Sequence, residues 1–255
     1  MYYNTIKRNR TESVTGRGGA PMQYRFAGRD DYSYLASGNV LKHFTGMPCF
    51  PVRLTLELFG RAKEAVGRDR LRVYDPCAGS GFSLSAMGLV NQRDIEAIYA
   101  SDVDPACVEA ARCNTSLFTR EGLADARKRL AERGASAERL AQYDEAIEKI
   151  LPSLADTPPR VTVFRHDILL SAPDLPEKID FLFADLPYGI MTEWQTDGAS
   201  DPTERFFANV VPLLAPSGVL AVAGRKDLRP PAGSFQKLDR ISAGHRLVWL
   251  LRPTG

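Results

Sequence analysis

Short apolar runs of strand length alternate with helix-period segments along most of this chain, and the runs stop abruptly at residues poor at continuing a strand. The runs are "RLRVYD" (70–75), "EAIYASD" (96–102), "VTVFRHD" (161–167), "KIDFLFAD" (178–185) and "GVLAVAG" (218–224). Between them lie the amphipathic stretches 50–66, 81–91, 104–118 and 201–214. Pro51 stands near the start of the first stretch and Asp104-Pro105 opens the third, both favoured at helix N-termini. Parallel strands need a crossover of helix length, so this alternation predicts a parallel sheet covered by helices on both faces. The last two runs differ. "FQKLDRI" (235–241) and "HRLVWLLR" (245–252) are separated only by Ser-Ala-Gly, and so short a turn joins antiparallel strands. The expected fold is α/β: a seven-stranded, mostly parallel sheet closing on an antiparallel hairpin.

Two segments fall outside the alternation. Residues 119–151 are rich in Ala, Leu, Glu and Arg, broken once at Gly134, and read as an inserted helical hairpin. Such an arm either packs on the domain edge or uses Arg127, Lys128 and Arg129 to grip a substrate. Residues 1–21 carry Lys7, Arg8, Arg10 and Arg17 against Glu12 alone, without hydrophobic period, and read as a mobile basic tail. Residues 22–255 then form one domain, a size that 44% apolar content suffices to pack. A net charge of +2 excludes a uniformly basic surface, so any nucleic-acid partner must be met by local charge. Cys49, Cys77, Cys107 and Cys113 form no C-x-x-C pair, and neither a metal site nor a disulfide framework is expected. No apolar run is long enough to span a bilayer, and the expectation is a cytosolic monomer without membrane contact.

In open α/β sheets, ligands bind beyond the carboxyl ends of the strands, where the strand order reverses. The unusual residues of this chain sit at such ends. "DPCAGSG" (75–81) follows the first strand, and Gly79 and Gly81 let the backbone approach a ligand. The dinucleotide fingerprint would place a third glycine where Leu84 stands, and a Walker loop would need Lys-Ser or Lys-Thr. An acid-led loop bearing proline suits instead a ligand that carries an ammonium and a carboxylate. Asp102, ending the second strand, can accept hydrogen bonds from the vicinal hydroxyls of a ribose. Asp104 reads as a helix cap. Asp167, ending the third, stands where an adenine amino group can be held. Each aspartate alone is a common cap or turn residue; together, behind a glycine loop, they point to an adenosyl group.

The fourth run ends in "DLPYG" (185–189). Pro187 and Gly189 constrain this loop, so the Asp185 carboxylate and the Leu186 carbonyl stand as neighbouring acceptors beside the Tyr188 ring. A flat group with N–H donors fits such a receptor, and base–aromatic stacking contributes about 1–3 kcal/mol. An ordinary β-turn with a buried tyrosine is the plainer alternative. Arg53 reads as a partner for the carboxylate of the ligand or for an RNA phosphate, or else as a solvated helix residue. Trp194 reads as a second stacking ring or as partial core. Arg225 and Lys226 read as phosphate contacts or loop charges.

"DPCAGSG", "SDVDP" and "DLPYG", in this order, resemble the motifs of Rossmann-like S-adenosylmethionine-dependent methyltransferases, the last being similar to the (Asp/Asn)-x-Pro-(Tyr/Phe) loop of enzymes that methylate base nitrogens. A wider likeness over about 24–252 is to the AviRa family of avilamycin-resistance guanine methyltransferases. It includes "GMPCFPVRL", "DPCAGSGFSLSAMGLV", "IYASDVDPACVEAA" and "DLPYGIMTEW". The resemblance implies S-adenosyl-L-methionine held by Arg53, Asp75, Pro76, Cys77, Gly79, Gly81, Asp102, Val103, Asp167 and Asp185. It implies catalysis by Asp185, Leu186, Pro187 and Tyr188, and ribosomal RNA met by Tyr188, Trp194, Arg225 and Lys226. The implied reaction is methylation of a guanine nitrogen in large-subunit 23S rRNA. Ring N1 is favoured because Asp185, unlike an asparagine, can take the departing proton. The exocyclic guanine nitrogen, a tRNA or DNA substrate, and a catalytically silent RNA-binding assembly factor are the alternatives.

Overall fold

The structure, a computed structural model, describes residues 23–43, 49–186, 201–244 and 246–254. The expected basic tail at 1–21 lies outside the described residues. After a short helix α1 (Ser33–Ala36), the elements run α2 (Val52–Val66), β1 (Leu71–Asp75), α3 (Phe82–Val90), β2 (Ile95–Asp102) and α4 (Pro105–Thr115). Then follow α5 (Arg120–Glu132), α6 (Ala137–Ile150), β3 (Arg160–Arg165), β4 (Ile179–Asp185), α7 (Pro202–Val210), β5 (Leu214–Arg225), β6 (Phe235–Ala243) and β7 (Arg246–Pro253). The seven strands form one sheet in the order β3-β2-β1-β4-β5-β7-β6. Neighbouring pairs from β3 to β5 are parallel, and β7 runs antiparallel to both β5 and β6. The chain therefore winds outward from β1 to β3, returns, and winds the other way from β4. That reversal puts the crevice at the carboxyl ends of β1 and β4.

Alternate side chains of the central strands enter two cores. Val73, Phe181, Phe183, Val219 and Ala221 face α2 and α3 residues such as Leu58, Phe59 and Leu84. Tyr74, Leu182, Ala184, Leu220 and Val222 face Phe206, Phe207 and Val210 of α7. Period-two alternation and two-sided burial give these strands their near-continuous apolar sequence.

Two boundaries depart from the sequence expectation. Helix α7 ends at Val210, and β5 begins at Leu214 rather than 218. Pro216 has no N–H for the ladder, and the register with β4 jumps from Ile179↔Leu214 to Phe181↔Val219, so the extra residues bulge out. β3 stops at Arg165, two residues short of Asp167.

Helices α5 and α6 start at side-chain caps, Thr119 accepting from the Gly122 N–H and Ser136 from the Arg139 N–H. Leu123, Tyr143, Ala146 and Ile150 are buried in the first core, and Tyr143 Oη donates to the Leu123 carbonyl at 2.9 Å. Arg127 pairs with Asp144 at 2.6 Å and Lys128 with Glu132 at 3.9 Å. The arm packs on the domain edge, and two of the three cations proposed to grip a substrate serve its own helices.

Candidate active site

The turn after β1 is held through its backbone N–H groups. Asp75 Oδ1 accepts the Cys77 N–H at 3.0 Å, and the Ala78 N–H reaches the Ser101 carbonyl of β2 at 3.0 Å. The Gly79 N–H donates to Asp102 Oδ2 at 2.9 Å, which fastens the turn to the end of the neighbouring strand. Gly79 (φ 52°) and Gly81 (φ 69°) both adopt the left-handed conformation that side chains disfavour. Their surroundings differ. A Cβ at Gly81 would lie 3.0 Å from the backbone and side chain of Ala111 on α4, so this glycine serves helix packing. A Cβ at Gly79 would meet nothing within 4 Å, so this position borders open space.

Four aspartates converge beyond the strand ends. Asp75 is buried, and burial first, with Asp102 and Asp185 adding repulsion, pushes its carboxyl well above the usual range. Burial also raises Asp102, against the N–H groups of Asp104 and Gly79 that stabilise its charge. The Cys77 thiol is pushed far up by burial and by Asp75, Asp102, Asp185 and Asp167 together. All four acids therefore lie within electrostatic range of that one sulfur. Asp167 reaches it from the loop after β3, where its Oδ1 accepts the Leu169 N–H at 2.9 Å. Asp104 is the cap of α4, accepting from Ala106 at 2.8 Å.

Asp185 is the least satisfied of them. Burial lifts its carboxyl to about 6, opposed by Arg246, whose Nη2 lies 3.6 Å from Oδ2. Its Oδ1 is buried and has no hydrogen-bond partner among the described residues. Leu186 continues from it, the N–H bonded to the Ala223 carbonyl at 2.9 Å and the side chain buried.

The remaining predicted residues divide. Pro76 is buried under the turn, and the Val103 carbonyl accepts Arg165 Nε at 2.9 Å. Arg53 stands in the first turn of α2. Its guanidinium lies 3.9 Å over the Tyr24 ring and donates to the Ala27 carbonyl at 3.3 Å, so it braces the chain entering the domain. Arg225 and Lys226 are exposed at the end of β5, Arg225 pairing with Asp227 at 3.4 Å. Pro187, Tyr188 and Trp194 lie outside the described residues.

Three contributors went unnoticed in the sequence. Arg246 opens β7, and because that strand is antiparallel its start meets the rim where β5 ends, opposite Arg225. Asn114 is fully buried on α4, donates to the carbonyls of Ser80 and Lys42 at 3.1 Å each, and accepts the Lys42 N–H at 2.9 Å. It ties the glycine turn to the segment before α2. Glu57, equally buried, accepts the N–H groups of Arg25, Phe26 and Ala27 and holds that segment on α2.

The profile of the rRNA methyltransferase AviRa matches residues 22–246. A 23S rRNA (guanine(2535)-N(1))-methyltransferase of Streptomyces viridochromogenes is 33% identical over 237 residues, covering 88% of this chain and 93% of that one. The solved structure of the rRNA methyltransferase aviRa from the same organism aligns with a TM-score of 0.77 at 32% identity, over 91% of this chain and 96% of that one. A putative class I S-adenosylmethionine-dependent methyltransferase of Listeria monocytogenes shares the fold, with a TM-score of 0.51 at 13% identity over 87% of this chain and 65% of that one. The class I methyltransferase topology, the crowded acids at its switch point and the match along nearly the whole chain agree: this chain belongs to the AviRa family of rRNA methyltransferases.

Proposed function

We propose that this protein methylates N1 of a guanine in 23S rRNA, with S-adenosyl-L-methionine as the methyl donor. The observation that carries the reading is Asp185, a largely buried carboxylate whose Oδ1 has no partner among the described residues, at the switch point of a class I fold. The family and the named activity of the Streptomyces relative support the choice of substrate.

The crevice residues fit the donor. Open space beside Gly79 leaves room for its amino-acid end against the Asp75-Pro76-Cys77 turn. Asp102 accepts one N–H on each oxygen and the Cys107 thiol besides, which leaves one acceptor position of the carboxylate for a ribose hydroxyl. Asp167 uses one oxygen in its own turn and keeps the other for the adenine amino group. When bound, S-adenosylmethionine supplies a methyl already activated by its sulfonium.

The chain's own work is then alignment and proton removal. Holding the guanine behind the methyl carbon is worth about 7–11 kcal/mol of barrier. Asp185 would take the proton that N1 gives up on methylation, and the Leu186 carbonyl beside it would hold the base in line with the donor. A carboxyl with a pKa of about 6 is largely ionised at pH 7 yet basic enough to accept that proton. The Leu186 carbonyl and the Tyr188 ring complete the base receptor in this reading, with Trp194, Arg225 and Lys226 on the RNA side.

The deciding experiment incubates the protein with labelled S-adenosylmethionine and 23S rRNA and maps the product by mass spectrometry. A 1-methylguanine at one position is expected. A 2-methylguanine, label entering only tRNA or DNA, or cofactor binding without transfer would each overturn the assignment.

A further inference from the structure

We propose that Arg246 is the positioning residue for Asp185, holding that carboxylate charged and in place at the end of β4. The inference rests on the reading of Asp185 as the proton acceptor and extends it to a residue on another strand. Three observations place Arg246. It is the first residue of β7 and pairs across the sheet with Arg225, which brings it to the rim where the parallel strands end. Its Nη2 lies 3.6 Å from Asp185 Oδ2, with only about a quarter of the side chain exposed (24%). Its guanidinium lies 5.4 Å over the Phe50 ring, and Phe50 meets the Phe183 ring of β4 edge-on at 5.2 Å. Arg246 is thus clamped between an aromatic ring that limits its rotation and the carboxylate it faces.

The other charged groups described around Asp185 do not share this role. Asp75 on β1 and Asp102 on β2 carry the same sign. Arg225 on β5 pairs with Asp227, and Arg53 on α2 is held by Tyr24 and Ala27. Arg246 is the cation that opposes the cost of burying the Asp185 charge.

The test is kcat/KM for rRNA methylation against pH in the wild type, Arg246→Met and Arg246→Lys, with melting temperature and S-adenosylmethionine binding measured for each. The wild-type acid limb is expected near pH 6. Removing a cation at this range raises a carboxylate pKa by about one unit, so the limb of Arg246→Met moves up by about one pH unit. That lowers activity about threefold at pH 6.5 and restores it by about pH 8.5. Arg246→Lys keeps the limb within about 0.3 units, because the charge remains. If Arg246→Met does not fold, Arg246→Gln is read in the same way. A loss equal at all pH values, or an unmoved limb, overturns the inference. Asp185→Asn separates the two ideas: if it keeps the acid limb, the reading of Asp185 falls. If it loses the limb while Arg246→Met leaves it in place, only the role of Arg246 falls.

Discussion

Asp180 and Asp185 stand on the same strand, one near each end of β4, and their surroundings are opposite. Asp180, 3% exposed, receives Arg72 Nε at 2.8 Å, the Arg72 N–H at 2.9 Å and Arg68 at 3.2 Å. Burial works against its charge, but these bonds override it and hold its carboxyl below the usual range. Asp185, 17% exposed, has one cation at 3.6 Å, an oxygen without a described partner, and a carboxyl lifted to about 6. An acid that staples a fold is saturated with donors. An acid kept for chemistry is left short of them, and the fold bears the cost.

The comparison can be broken by exchanging each acid for its amide. Asp185→Asn is expected to lower turnover about 10²–10⁴-fold while cofactor binding persists, measured by labelled-methyl transfer beside calorimetry. Retained turnover would remove Asp185 as proton acceptor. Asp180→Asn should do the reverse, costing about 3–5 kcal/mol in a urea melt because Arg72 loses its buried partner, with the kinetics of the folded protein unchanged. A neutral melt would mean that the network at the amino end is decorative.

Truncating the amide that braces the turn comes next. Asn114→Ala leaves three backbone groups of Ser80 and Lys42 without partners and should cost about 1–3 kcal/mol, with weaker S-adenosylmethionine binding. Unaltered affinity would show that the glycine turn keeps its shape unaided.

The smallest effect sharpens the contrast through pH. Folded Asp185 holds its proton up to about pH 6, whereas an unfolded aspartate releases it near about 3.9. Between those values the native state binds more protons, so this group makes stability fall as pH rises across the window. Asp180 has the opposite sign, its contribution being present above the ordinary value and lost as pH falls through its lowered one. Asp185→Asn should therefore exceed the wild type in stability by up to about 2 kcal/mol at pH 7.5, an excess that shrinks as pH drops from 6 to 4. Parallel curves for the two proteins would contradict the raised carboxyl.

The strand ends were legible because their signals are local. Each of the first five apolar runs closes on an acid or a glycine, and Asp75, Asp102 and Asp185 end β1, β2 and β4. Gly79 and Gly81 looked alike in sequence, yet one borders open space and the other packs on Ala111. Glu57 and Asn114 look like solvent-facing helix residues and are both fully buried, because the backbone they satisfy arrives from distant parts of the chain. The contacts of Arg53 went unseen for the complementary reason: Tyr24 and Ala27 precede the helix, and nothing in the local pattern announces them.

The order of apolar runs, their period and the residues that stop them determined the strands, the helices between them and the acids at the strand ends, since these depend on neighbours within a few positions, whereas the strand order and its reversal between β1 and β4 belong to the tertiary structure. What those acids are, charged or half-protonated, saturated or short of donors, was decided only when the chain closed. Burial and the distance to a cation are properties of packed elements, and β7 had to run backwards beside β5 before Arg246 could reach Asp185.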